Sequence, residues 1–233
     1  MNKTKLTKLA LTAALGLALT LLSCEDKEKK QTPAETQTAE PAAAPPPQEA
    51  AATTLTDSRD KKTYKTVKIG TQTWMAENLN YEAKGSKCYE DKPANCQKYG
   101  RLYNWETAKT ACPSGWKLPS NAEWDKLLHY IDGTSGTESP YYSETAGKHL
   151  KAKSGWNENG NGTDKFGFSA LPSGVGYSHN GSFNLVGSSC FWWSSTEYSS
   201  SEVYYWFIHY NSETVQYNGG GKGSLYSIRC IKD

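Results

Sequence analysis

The clearest periodicity in the chain runs from Ser120 to Gly133. Trp124, Leu127, Leu128 and Ile131 recur at i, i+3, i+4 and i+7 with polar residues between them, one apolar stripe of an α-helix. Ser120 and Glu123 have capping-box spacing at its start, and Gly133 stands where a left-handed C-terminal cap is wanted. A second helical pattern lies just before it. Leu102, Trp105, Ala108 and Ala111 share one face between Tyr99 and Cys112, and Pro113 forbids continuation. Strand-type alternation marks residues 64–69, which turn about Gly70-Thr71 into residues 72–75 as a hairpin. Further strands are expected at 166–172, 174–177, 183–186, 190–197, 203–210 and 224–231, the last three with the residue types of a paired antiparallel sheet. The pattern predicts an α+β domain.

The N-terminus follows a different rule. Lys3, Lys5 and Lys8 precede an apolar run from Leu9 to Leu22, which ends in Ser23-Cys24. This is the layout of a bacterial lipoprotein signal: residues 1–23 are expected to be removed and Cys24 to carry lipid. The whole chain has a net charge of +2, so loss of three lysines gives 2 − 3 = −1 for the mature chain. That balance gives no reason to expect a nucleic-acid partner. Residues 24–61 are rich in Pro, Ala, Glu and Thr and poor in aromatic or branched apolar side chains. Such a segment cannot bury enough surface to offset its ordering entropy, so it is expected to be a disordered tether holding a folded domain, residues 62–233, away from a membrane. The expected place is the bacterial cell envelope, anchored by lipid at the outer membrane, with the leaflet left open.

Export permits disulfides among the five remaining cysteines. Cys88 and Cys96, eight residues apart around Pro93, most simply pair with each other. Cys112 with Cys230 would staple the first helix to the last strand; Cys190 with Cys230 is the alternative, leaving Cys112 free. Asn157, Asn159, Asn161 and Asp164, with Gly162, resemble the first half of a calcium loop, and a weakly bound calcium is the only cofactor considered. The carboxylate expected at the twelfth position is missing, because Phe168 stands there. Aromatic side chains carry the binding hypothesis. Trp192, Trp193, Tyr198, Tyr204 and Trp206 lie on expected strands whose alternate side chains face opposite ways, so part of this set should present flat rings to a ligand.

Gly100-Arg-Leu-Tyr-Asn-Trp105, Cys112-Pro-Ser-Gly-Trp-Lys-Leu-Pro-Ser-Asn-Ala-Glu-Trp124, Gly167-Phe-Ser-Ala-Leu-Pro-Ser-Gly174, Phe191-Trp-Trp-Ser-Ser-Thr-Glu197 and Ser227-Ile-Arg-Cys230 together resemble the Fibrobacter succinogenes major paralogous domain over about residues 64–233. The resemblance implies a fold shared with C-type lectins and formylglycine-generating enzymes: two helices flanking a twisted antiparallel sheet with long loops. It also favours the Cys112–Cys230 pairing. It implies little about activity, since one fold hosts unrelated functions. The reactive cysteine pair of formylglycine-generating enzymes is not matched, because Cys190 alone would be left for it. The sugar-binding tripeptides of calcium-dependent lectins are absent from the sequence. The expected function is a non-catalytic, lipid-anchored envelope protein that binds polysaccharide or another envelope protein. The alternatives are an oxidoreductase acting through Cys190 and a structural envelope component.

Overall fold

The computed structural model describes residues 53–136 and 139–233. The expected signal segment, the lipid-bearing Cys24 and the tether up to residue 52 lie outside the described residues. Inside them the protein is mixed α/β and mostly β. It has two sheets where the family resemblance implies one.

The first sheet is built on the expected hairpin, β2 (Thr63–Ile69) and β3 (Gln72–Met75). It is extended on one side by β1 (Thr53–Thr56). On the other side stand the short strands β11 (Ile231–Lys232) and β4 (Trp116–Lys117), in the order β1-β2-β3-β11-β4. Strand β1 lies within residues 24–61, the stretch expected to be tether, so that this part of it belongs to the sheet. Leu55 is the one large apolar side chain there, so polar contacts supply the anchor. Asp57 is buried and accepts from Arg59 Nε at 2.9 Å and Nη2 at 2.7 Å. Arg59 also donates to the Ala111 carbonyl and lies 3.7 Å from the centroid of the Tyr81 ring. Burial pushes the Asp57 carboxyl up, but the hydrogen bonds and charge of Arg59 outweigh it and hold the carboxyl below its usual range.

Helix α1 (Pro93–Tyr99) occupies a stretch expected to be loop, with proline at its first turn, where the missing N–H costs nothing. Helix α2 (Trp105–Ala111) is shorter than the pattern predicts. Gly100 has φ 77°, and a Cβ there would lie 2.7 Å from Asn78 Cβ, so the chain cannot run helically from Tyr99. Asn104 instead caps α2, accepting from the Thr107 N–H at 2.9 Å. Helix α3 (Asn121–Asp132) forms as expected: Glu123 accepts from the Ser120 N–H at 2.7 Å, and Gly133 is left-handed at its end. Helix α4 (Ala146–Leu150) is a short turn beside it.

The second sheet runs β10-β5-β7-β8-β9, made of β5 (Ser173–Tyr177), β7 (Ser189–Glu197), β8 (Glu202–His209), β9 (Gln216–Gly221) and β10 (Ser224–Leu225). β6 (Ser182–Val186) hangs on β5, and β5 meets β7 in parallel, so this sheet is not purely antiparallel. Residues 166–172, expected to be a strand, form none: Ala170 makes only an isolated bridge to Lys151, at the end of α4. Successive residues of β7 enter different cores. Trp192 joins Trp124, Leu127 and Leu128 of α3 in one, while Trp193 joins Trp105, Ala108 and Ala111 of α2 in the other. The two helices therefore cover opposite faces of the same strand.

Both expected disulfides are present. Cys88–Cys96 closes a loop of eight residues, and Cys112–Cys230 joins the end of α2 to the closing stretch across 118.

Candidate functional site

Three of the five ring residues chosen from the sequence are not available to a ligand. Trp192, Trp193 and Trp206 are fully buried. Their indole N–H groups are spent internally: Trp192 on Asn78 Oδ1 at 2.9 Å, Trp193 on the Tyr103 carbonyl at 2.7 Å, Trp206 on Asn121 Oδ1 at 3.2 Å. The alternation argument fails because it assumes one wet face. With α2 and α3 packed on opposite faces of β7, a residue pointing either way there meets a core.

Tyr198 and Tyr204 are different. Tyr198 is 53% exposed and Tyr204 is half-buried, and their ring centroids are 5.0 Å apart, edge to face. Tyr217 on β9 continues the line, 5.9 Å from Tyr204. Its strand was not expected from the sequence, since residues 219–221 are glycines. Those glycines make the row. Tyr204 is paired across the ladder with Gly219, and a Cβ on Gly219 would come within 2.8 Å of the Tyr198 ring. The Tyr198 ring thus lies over bare backbone. The shift in ladder register between Trp193 and Glu197 leaves Tyr198 just past the end of β7, on the side of Tyr204.

Beyond Tyr217 the row runs into a shallow cleft of about 590 Å³ that Tyr217 shares with Pro140, Tyr141 and Tyr142. Tyr142 is 52% exposed. At the cleft edge the Asp132 carboxylate is engaged by three hydroxyls, accepting from Tyr141 at 3.0 Å, Ser143 at 2.9 Å and Thr145 at 2.8 Å. The row so formed offers tyrosine rings turned edge to face along its length, so that ring faces and ring edges alternate. Each ring combines an apolar face with a polar tip, suited to a partner that is apolar on one side and hydroxylated at its edge. On the opposite side of the sheet, Phe191, Tyr205 and Phe207 are half-buried and pack against each other and Tyr226.

The remaining candidates are placed as follows. Cys190 is the free cysteine among the described residues and is fully buried; burial pushes its thiol far up, away from the reactive thiolate. Three of the four calcium-loop residues have other partners. Asn157 donates to Ser188 Oγ, Asn161 Oδ1 accepts from the Trp156 N–H, and both oxygens of Asp164 are bound by Ser169. A short 3₁₀ turn, Asn157–Asn159, replaces the open ligating loop. Among the described residues no group of three or more His, Cys, Asp or Glu could hold a metal ion.

The family model described as Fibrobacter succinogenes major domain matches residues 67–232. No curated protein matches the chain, and no solved structure does.

Proposed function

The chain belongs to the Fibrobacter succinogenes major domain family, and we propose that its folded part is the binding head of an exported, lipid-anchored envelope protein that holds polysaccharide without chemical turnover. The observation that carries this reading is the row of exposed Tyr198 and half-buried Tyr204 and Tyr217 leading into the cleft of Tyr141 and Tyr142. Rings spaced 5–6 Å apart suit successive contacts along an extended chain of sugar rings, whose C–H faces stack on aromatics while their hydroxyls reach the phenols. Soluble proteins bury or scatter large apolar side chains unless a surface has a partner. The signal-like N-terminus and Cys24 support placement at the outer membrane, and two disulfides suit an oxidising compartment. Helices on both faces of β7 and the Cys112–Cys230 link support a C-type-lectin-like reading of the fold.

A glycan array of plant and bacterial polysaccharides tests the function. Wild type should bind at least one extended glycan, and Tyr198→Ala and Tyr204→Ala should each weaken that binding while Phe207→Ala, on the other side of the sheet, leaves it unchanged. Failure of wild type to bind any polysaccharide would sink the proposal. Loss on Phe207→Ala alone would sink the site assignment.

A further inference from the structure

Away from the tyrosine row, a cleft of about 470 Å³ opens between β2, the stretch from Ala76 to Asn80 that follows β3, and the end of α1, and Arg229 lies in its lining. Arg229 is 1% exposed. Its Nε donates to Asn78 Oδ1 at 3.1 Å, and Nη1 donates to the carbonyls of Met75 and Phe168. The guanidinium sits 4.4 Å from the Phe168 ring centroid. Among the described residues no carboxylate forms an ion pair with it, and Nη2 makes no hydrogen bond. A buried charge is ordinarily paired, because taking it from water without a counter-charge costs several kcal/mol. Burial presses the guanidinium down to about 10, which still leaves it charged at neutral pH.

The walls add to the imbalance. Lys62, Lys65 and Lys98 line the cleft with Arg229, against one carboxylate, Glu77. Glu77 accepts from the Lys65 backbone N–H at 2.8 Å, and Lys62 is held by Asp60 and the Asn80 carbonyl. The side chains of Lys65 and Lys98 form no ion pair among the described residues; Lys98 lies 4.8 Å from the Tyr99 ring centroid. The floor is fixed in place. Asn78, which orients Arg229, also accepts from Trp192 Nε1 and donates to the Tyr99 carbonyl at 2.9 Å. A planar, immobilised guanidinium at the base of a small basic cleft is built for one acidic group of a compact ligand.

We propose that this cleft binds the acidic group, carboxylate or phosphate, of an anionic ligand about one sugar residue in size, with Arg229 at its floor and Lys65 and Lys98 at its mouth. The site is separate from the tyrosine row and its ligand is recognised by charge.

Calorimetric titration of the full chain in detergent with glucuronate, glucose 6-phosphate and neutral glucose tests it. At least one charged sugar should bind while glucose does not, and the tighter of the two names the acidic group. The Lys65→Gln/Lys98→Gln variant should melt as wild type and bind the charged sugar about fivefold more weakly, two partly exposed charges having been lost. Arg229→Lys keeps the charge but removes the planar fork and should abolish binding; should it fail to fold, the lysine variant still decides. Equal response to glucose and both charged sugars, or unchanged affinity in the lysine variant, would overturn the proposal.

Discussion

Trp206 and Tyr204 sit two residues apart on β8 and point to the same face, yet one is sealed in a core and the other meets solvent. The difference lies in what covers the sheet. Trp206 packs 5.8 Å from Trp124 of α3, which also touches Trp74, Phe168 and Trp192. Among the described residues no such partner lies over Tyr204, whose ring neighbours are Tyr198, just past the end of β7, and Tyr217 on the edge strand β9. The polar atoms follow the same division. The indole N–H of Trp206 has a fixed internal acceptor, whereas Tyr204 carries a hydroxyl at the tip of a half-buried ring. Face is set by strand period; depth is set by the element laid on top.

The strongest way to break this comparison is to remove the cover. Trp124→Ala takes away the ring around which four others pack, and unfolding in urea should show a loss of about 3–5 kcal/mol. A stable Trp124→Ala protein that had lost only glycan affinity would place α3 in the binding site and dissolve the distinction. Trp206→Phe is a milder probe. It keeps most of the ring but leaves the buried Asn121 Oδ1 without its donor, and should cost about 1–3 kcal/mol in the same measurement with glycan binding retained.

The same contrast explains what could be read from the sequence. Helix α3 was legible because its stripe, its Glu123 cap and its Gly133 terminator agree, and the β2–β3 hairpin because its alternation is uninterrupted. The two cysteine pairs followed from spacing and from the family resemblance. Helix α1 was not legible, since Pro93 reads as a breaker unless it is known to stand at a helix start. Strand β9 was hidden by its own glycines, which local propensity assigns to a turn but which the ladder with β8 holds extended. Residues 224–231 were expected as one strand, but only its ends are strand, in β10 and β11, with residues 226–230 between them. They form only single bridges, Tyr226 to Tyr103 and Ser227 to Trp192, because their side chains must serve a core, a disulfide and the Arg229 cleft in turn. Of the rings expected at a surface, Tyr198 is exposed and Tyr204 half-buried, while the three tryptophans are buried, because covering by α2 and α3 is a tertiary event that no window of sequence contains.

On the open side of the comparison, Tyr204→Ala should cost less than about 1 kcal/mol of stability, its ring being half in water, while weakening glycan binding roughly tenfold, as expected for a central ring in a binding surface. Equal losses in stability and affinity would mean that Tyr204 belongs with Trp206 after all.

Gly219→Ala gives the smallest and sharpest test. The added methyl would come 2.8 Å from the Tyr198 ring, and its three nearest atoms all belong to that ring, the side chain of an exposed residue that can give way. Alanine also lowers the backbone entropy of the unfolded chain, so stability should stay within about 0.5 kcal/mol of wild type, the gain offsetting the local shift. The displaced ring, however, loses its edge-to-face seat on Tyr204, 5.0 Å away. Glycan affinity should then fall about threefold, short of the loss from deleting a ring, since the ring remains but no longer lies in line. Unchanged affinity in Gly219→Ala would mean that Tyr198 contributes nothing to the row, and the surface would shrink to Tyr204, Tyr217 and the cleft beside them.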